Sequence, residues 1–579
     1  MADDLAAGPS RERRLSGNSV ASAIDYSAVS SSSDSEDNIG SSDFSSDDGD
    51  SQNLPGSSSA VRRVSTVYGG DLLPSAQQRV AFSPRREPGL DLGMVLRSEA
   101  KRLTKAIDVF VMFFTAEVVN RICVNTNKYA WTQILKKQSY AEADGSWKEV
   151  TAAEMMKFIG LLIYMGIVEL PRLHLYWSRG SLFPGFVPPK IMSRTRFFAL
   201  LGMIHVSDPD EESGRKLDKI SWLLEHMNEH SAKFFQPRKS LSVDERMVKS
   251  KARSGIRQYI KDKVVKWGYK LWVLADPQTG YTIQFYVYTG KREKASANGL
   301  AFDVVTKLCE PYLDQGYHIY MDNFYTSTAL FLHLLKRCTL ACGTTRKDRR
   351  GFPQQMKDSS WEKKAERGNI RWLRESGVLY LQWKDRRVVN MMSTIHTANN
   401  HVIAKRRVKK DGKWQEISVQ KPKLVDEYNA GMLGVDKSDQ MIASYNVLIK
   451  CVRWWKTLFF HSVDIACVNS YVIFQAHRQQ HAGASELLRP SNFDQLAFRM
   501  ELAQQLLDLE ERPQVRTPPQ TRSTQHKPYR LEKRRRCKKC YEDNKLDHKT
   551  NVICKTCNVC LCFTTARNCF AQYHANLRN

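Results

Sequence analysis

Apolar residues recur at helical spacing over 106–130 (Val109, Val111, Met112, Phe113, Val118, Val119, Ile122), and again over 151–168 and 193–204. Pro171, Pro184, Pro188 and Pro189 interrupt the stretch between them. After Pro237 the period shortens to two. Residues 240–248, 269–274 and 281–289, rich in Val, Ile, Tyr and Trp, are expected strands. The turn chemistry of Asp276-Pro-Gln-Thr-Gly280 pairs the last two antiparallel. An amphipathic helix over 299–313, a buried strand over 316–321, a helix over 327–335 and a short strand over 340–345 follow. Residues 351–424 show one strand pair, 378–383 with 388–393, set in charged loops. Helix resumes near Val435, is strongly apolar over 454–475, and returns over 494–510. From Arg512 to Arg536 runs a Pro-rich linker with nine basic residues and one acid. No internal repeat is visible, which excludes a solenoid.

Three antiparallel strands, a helix, and two more strands around a second helix is the order expected of an RNase H-like core. The fold class is therefore α/β: an RNase H-like core with a helical N-terminal domain, an insertion domain and a small C-terminal Cys-rich domain. The expected boundaries are a tail at 1–100, a helical domain at 101–236, the first part of the core at 237–350 and an insertion at 351–424. The helical second part of the core follows at 425–480, a helix and basic linker at 481–530, and the Cys-rich domain at 531–579.

Charge narrows the function. Lys and Arg exceed Asp and Glu by 27, and the surplus is uneven: the first 100 residues carry a net −6, the rest +33. Such a body favours a polyanionic partner. The first 60 residues include 18 serines, and 31–50 has acids without a single Lys or Arg. That composition is expected to stay disordered, as a solubilising tail or, once phosphorylated near Ser33, Ser35, Ser45 and Ser46, as a competitor with DNA for the basic body. The best apolar run, 158–168, is 11 residues, against about 20 for a membrane span. Met-Ala-Asp-Asp at the start lacks the pattern of a secretory signal, so no membrane partner is expected.

The candidate chemistry lies in carboxylates on the sheet. Asp244 falls inside the first strand (Leu241-Ser-Val-Asp244-Glu245) and Asp322 at the exit of the fourth. A charge there is costly unless it is paired or holds a cation. Alternation sends Glu245 to the other face. On neighbouring strands Asp244 and Asp322 would face each other, and a divalent cation would remove the repulsion. Two Mg²⁺ ions bridged by carboxylates make a phosphoryl-transfer site. Asp436 and Asp439, at i and i+3, supply further acids from one helical face. The plainer alternatives are a turn cap and a helix N-cap.

Leu241-Ser-Val-Asp244-Glu245, Tyr317-His-Ile-Tyr-Met-Asp322-Asn-Phe-Tyr-Thr-Ser327 and Gly434-Val-Asp436-Lys-Ser-Asp439-Gln440, whose acids are 78 and 114 positions apart, resemble in order the acidic blocks of piggyBac transposases. Ala341-Cys-Gly-Thr-Thr-Arg346, the approach from Lys421-Pro422 to Tyr428-Asn429, and Arg453-Trp454 leading to Ile465-Ala-Cys-Val-Asn-Ser470 extend the resemblance over about 101–478, and it resumes at 536–579. It implies a cut-and-paste DNA transposase, with Asp244, Asp322 and Asp436 as the catalytic metal-binding triad and Asp439 in support. The implied chemistry is water attack at the transposon end, hairpin formation by the freed 3′-hydroxyl and joining at TTAA. The helical domain is then expected to serve dimerisation and DNA binding, in a homodimer; separately, the basic run 533–539 with the adjoining linker is expected to act as an import signal to the nucleus. Arg346 and Arg349 match basic motif positions and are expected on DNA. Trp454 matches an aromatic that could stack on an unpaired base, whereas Trp455 is expected in packing.

The tail reads Cys537-x2-Cys540, Cys554-x2-Cys557, then Cys560, Cys562, Cys569 and His574. Paired C-x2-C units are zinc signals, and eight ligands fit two Zn²⁺ ions. The resemblance implies an interleaved cross-brace that recognises transposon-end DNA. Spacing around Cys560, Cys562 and Cys569 departs from the family, and His548 is a spare ligand; a ubiquitin-ligase RING shows the same pattern. Three function classes stand: a transposase, a host-adopted DNA-binding protein that no longer cleaves, and a chromatin reader whose zinc module binds histone tails.

Overall fold

The computed structural model describes residues 67–68, 77, 80–91, 103–135, 147–509 apart from 181, 184, 262, 291–295 and 411, and 526–576. The Ser-rich acidic stretch and the first part of the expected linker lie outside the described residues.

Helices α1 (Ala106–Phe110), α2 (Ala116–Ile134), α3 (Ala152–Ile167), α4 (Arg194–Met203) and α5 (Ser221–Phe234) form the first layer. The single helix expected over 106–130 is broken after Phe110, because Thr115 starts a new one: its hydroxyl accepts the backbone N–H of Val118. Thr151 and Ser193 cap α3 and α4 in the same way. Phe110, Phe113, Phe158 and Leu161 enter one large core shared with the sheet.

That sheet contains β1 (Ser240–Lys249), β2 (Trp267–Ala275), β3 (Thr282–Val287), β4 (His318–Met321) and β5 (Leu340–Thr344), with α6 (Leu300–Cys309) before β4 and α7 (Thr328–Lys336) before β5. Spatial order is β3-β2-β1-β4-β5, antiparallel through the first three and parallel through the last three, which is the RNase H order. Asp276 is wholly buried in the β2–β3 turn, where its Oδ1 accepts the Gln278 and Thr279 amides at 3.0 and 2.9 Å.

The expected insertion continues this sheet. β6 (Ile370–Glu375), β7 (Val378–Lys384) and β8 (Val388–Ser393) add antiparallel strands beyond β5, in the order β5-β8-β7-β6. Trp372, Leu381, Trp383 and Met391 make a second core there with Tyr320. The charged loops expected after β8 are instead a long hairpin, β9 (His401–Lys410) with β10 (Lys413–Pro422), which forms a two-stranded sheet of its own. The apolar-run criterion misses it because most of its surface faces solvent, although Asp411-Gly412 is a hairpin-turn signal.

Helices α8 (Lys423–Ser444), α9 (Trp454–Gln480) and α10 (Gln495–Leu506) complete the body. By length and composition α9 could cross a bilayer, yet nearly all of it is buried inside the fold. Two of its buried polar groups are met by neighbouring elements. The Asp464 carboxylate takes the Val447 amide at 3.1 Å and the guanidinium of Arg499 from α10 at 3.5 Å, and Asn469 bonds both the N–H and the C=O of Thr282.

Two glycines set how close α8 comes to the sheet. A Cβ on Gly431 would stand 2.3 Å from the Tyr320 ring, and one on Gly434 would stand 2.9 Å from Ser242 Cβ. Each glycine costs a helix about 1 kcal/mol relative to alanine. Here the backbone contact requires it, and Ser242 Oγ donates to the Met432 carbonyl at 3.0 Å.

At the C-terminus, β11 (Pro528–Arg536), α11 (Lys538–Asn544), β12 (Lys549–Cys554), β13 (Val559–Cys560) and α12 (Cys569–Ala575) build a small unit around one three-stranded sheet. The basic run 528–536, expected in the linker, is therefore its first strand.

Candidate active site and zinc centres

Register places the first two carboxylates. β1 and β4 run parallel with Val243 opposite Met321, so the next residue of each strand, Asp244 and Asp322, leaves the ladder beside the other. Asp322 also shapes its own turn: Oδ1 accepts the Phe324 amide at 2.9 Å, and its carbonyl accepts the Thr326 amide and hydroxyl at 3.1 and 2.8 Å. From α8, packed close through its glycines, Asp439 pairs with Arg246 of β1, while Asp436 is exposed and acts on Asp244 only as a weaker charge.

Like charges gathered this way have a cost. Burial first, then the Asp322 charge and more weakly that of Asp436, push the Asp244 carboxyl up to about 7, against Lys263. Asp322 is raised by burial and by the charge of Glu245, with the Phe324 amide opposing. Asp439 is raised by burial, with Arg246 opposing. The 2 %-exposed Arg246 pairs with Asp439 through Nε and donates to Ser438 Oγ at 2.8 Å, which fixes Asp439 against β1. Lys263 is raised: burial works against its charge, but Asp244 and Glu245 more than offset that. Glu245, expected to turn away, is paired with Lys270 and with Lys263 at 3.5 Å, while its charge still reaches Asp322. Sequence reasoning also passed over Tyr325. It is 1 % exposed, its hydroxyl has no hydrogen-bond partner among the described residues, and after burial the charges of Asp244 and Asp322 act on it most strongly. An all-oxygen donor set of crowded carboxylates suits a hard cation such as Mg²⁺.

The expected DNA contacts have distinct settings. Arg346 is exposed, 3.5 Å from Asp348. Arg349 donates to the carbonyls of Asn323 and Phe324, both at 2.7 Å, so it braces the turn that carries Asp322. Trp454 is half-buried and lines a cavity of about 260 Å³ with Lys216 and Lys219. Trp455 is buried, edge-on to His205 at 5.2 Å.

Two tight metal-ligand sets lie in the C-terminal unit: Cys537, Cys540, Cys562 and Cys569; and His526, Cys554, Cys557 and His574. Within each, the ligand atoms all lie within 4.8 Å of one another. Sγ–Sγ distances of 3.5 and 3.9 Å from Cys540 approach the roughly 3.8 Å edge of a tetrahedron with Zn–S near 2.3 Å. His574 Nδ1 donates to the Phe570 carbonyl at 2.7 Å, which leaves Nε2 facing Cys557 at 3.5 Å, the outer hydrogen bond that orients a zinc histidine. The sets alternate along the chain, which is cross-brace connectivity. One expected ligand is corrected. Cys560 stands outside both sets because it is a β13 residue paired with Ile553, and His526 takes the eighth place. His548 belongs to neither. His526 went unseen because it lies before the cysteines, in what composition marks as linker.

A family model described as transposase IS4 matches residues 105–471, well over half the chain and the whole of the acidic site. The chain belongs to this family of piggyBac-type transposases. Human PiggyBac transposable element-derived protein 3 is 26% identical over 484 residues, covering 81% of this chain and 76% of that protein. Human PiggyBac transposable element-derived protein 5 is 25% identical over 424 residues, covering 70% and 76%. A cryo-EM structure of the piggyBac transposase synaptic complex with hairpin DNA shares the fold: TM-score 0.60 at 21% identity, over 82% of this chain and 98% of that one.

Two outcomes follow. Because the Asp244 carboxyl stands at about 7, above the ordinary 3.8, its contribution to stability is full below pH 4 and lost as pH rises through 7. In zinc-replete, magnesium-free buffer, Asp244→Asn should therefore stabilise the protein at pH 8 by on the order of 2–4 kcal/mol and leave it little changed at pH 4. Thermal melts at both pH values check this, and a variant less stable than wild type at pH 8 contradicts it. For the second centre, Cys560→Ser should keep two zinc ions per chain and His526→Ala should weaken one. Metal analysis after dialysis distinguishes them, and loss of zinc from Cys560→Ser would restore Cys560 as a ligand.

Proposed function

We propose that this transposase-family protein cuts and pastes DNA by two-metal phosphoryl transfer at Asp244, Asp322 and Asp436. The observation that carries the reading is the strand register that sets Asp244 beside Asp322, closed over by α8. Two Mg²⁺ ions bound there would activate an attacking oxygen and stabilise a leaving one. The chain's own part is to fix the acids. Arg349 holds the turn after Asp322, Arg246 holds Asp439 as a supporting acid, and Lys263 is positioned to balance charge and meet a phosphate. In-line displacements at one such site account for first-strand cleavage by water, a hairpin made by the freed 3′-hydroxyl, and joining at TTAA. Arg346 and Trp454 are assigned to DNA, Trp454 to an unpaired base. The zinc unit is assigned to the transposon end, and the working form to a homodimer on double-stranded DNA. A second reading, a host-adopted DNA-binding protein without cleavage, is favoured by the human relatives named as derived from the element.

Asp322→Asn should abolish strand cleavage in Mg²⁺ while end-DNA binding stays within a few-fold of wild type, because the amide keeps the turn but not the charge. Cleavage at the wild-type rate by this variant would remove the two-metal reading. Binding without cleavage by the wild type, on cognate ends, would favour the second reading.

We further propose nuclear import through the basic run 533–539, whose strand portion is largely exposed. A tagged Arg534→Ala/Arg535→Ala/Arg536→Ala variant should shift to the cytoplasm; full nuclear retention would place the signal elsewhere.

A further inference from the structure

We infer that the β9–β10 hairpin is a DNA-gripping arm, which lays its outward face along double-stranded DNA next to the duplex held at the carboxylates. The inference rests on the transposase reading above and adds to it a binding surface.

The hairpin joins neither the central sheet nor the zinc unit. Its root is fixed. Trp383 Nε1 donates to the Gln420 carbonyl at 2.9 Å, Val419 is buried in the second core, Arg406 pairs with Asp385 at 3.2 Å, and Lys421 pairs with Asp426 at 3.0 Å. Past the root, alternation divides the faces. Along β9, positions 403, 405, 407 and 409 are exposed, while 402, 404, 406 and 408 are half-buried. Cross-strand register adds Gln420, Ser418, Glu416 and Trp414 to the exposed face, with Trp414 opposite Lys409.

This face combines cations with large apolar groups. Lys405 is paired with Glu416 at 3.0 Å, whereas Arg407 and Lys409 have no ion pair among the described residues. Trp414 is 70% exposed and Ile403 62%. Lysines alone are what a free strand edge needs to discourage aggregation. A tryptophan and an isoleucine held out in water serve no such purpose and call for a partner. The unpaired cations select a polyanion, and a two-stranded ribbon fits the major groove of B-form DNA. Ten residues at about 3.3 Å each span about 33 Å, close to one helical turn of duplex. The arm leads directly into α8, where Asp436 lies 13 residues on, about 20 Å at 1.5 Å per residue. Duplex at the carboxylates therefore runs within the arm's reach.

The test measures binding of a labelled duplex to the full-length, zinc-replete chain across a salt series. Arg407→Gln/Lys409→Gln should reduce the slope of log K against log salt by about 2, at roughly 0.9 for each phosphate no longer neutralised. Trp414→Ala should weaken binding several-fold at every salt concentration with the slope unchanged. All these side chains are exposed, so the variants should melt with the wild type. Wild-type binding matched by every variant in affinity and slope overturns the arm while leaving the transposase reading in place. Losses confined to single-stranded RNA or to a protein partner, with duplex binding intact, also overturn it. A wild type that binds no duplex, cognate ends included, overturns the transposase reading and the arm together.

Discussion

Backbone-close contact between α8 and the sheet is the constraint on which the rest of the site depends. Asp244 and Asp322 are made neighbours by strand register alone. Register cannot deliver a third acid, because Asp436 lies on a helix and not in the sheet. Gly431 and Gly434 let a 22-residue helix lie with its main chain against Tyr320 and Ser242. A side chain at either position would lift the helix and carry Asp436 and Asp439 away from β1. The helix gives up intrinsic propensity at two positions, and that loss accompanies a geometry in which Asp439 pairs with Arg246 of β1 and the charge of Asp436 reaches Asp244.

Meeting has its own cost, and the surroundings show how it is contained. Arg246 neutralises Asp439 from inside the fold, and Lys270 neutralises Glu245. Among the described residues no arginine or lysine pairs directly with Asp244, and burial, then the Asp322 charge, push its carboxyl up to about 7 against the pull of Lys263. The fold thus pairs Asp439 and Glu245 and leaves both Asp244 and Asp322 raised without a direct ion pair among the described residues, a repulsion that a cation would remove. Asp276 and Asp464 are buried acids too: Asp276 is taken up by a turn, while Asp464, although met by Arg499 and an amide, is also pushed up to about 7 by burial, so it is the neighbouring Asp322 charge and not the size of the shift that sets Asp244 apart.

Legibility in the sequence followed the strength of the physical signal. The five core strands were readable because each is buried on both faces and reads as a β-branched or aromatic run, and their order gave the RNase H topology. The acids were readable because a charge in such a run needs a reason. Three features escaped. β6 is short and its Arg371, Arg374 and Glu375 mask the apolar pair Trp372-Leu373. The β9–β10 hairpin is packed only at its root, so most of it carries no burial signature. His526 is a single ligand 11 residues from the nearest cysteine, and only the pairing of Pro528 with Cys554 brings it to the second metal set. In each case position was decided by long-range contact, to which a local window is blind.

The two metal chemistries divide the labour between the parts of the chain. The body owns a large apolar core and could fold around its acids unaided; a cation there would serve reactivity. The C-terminal unit has no such reserve. Its buried cluster consists of five cysteines with Val552, Leu561 and Phe570, so once the thiols are counted as ligands almost no apolar core is left. So small a unit needs metal to hold its shape. Interleaved ligands make that shape all-or-none, since each set clasps segments that flank the other, and His526 ties the entry of the chain into the same knot. Oxygen donors crowded in the body and sulfur donors in the tail would therefore respond to different ions, and the fold of the tail could be removed by chelating zinc without disturbing the acids of the body.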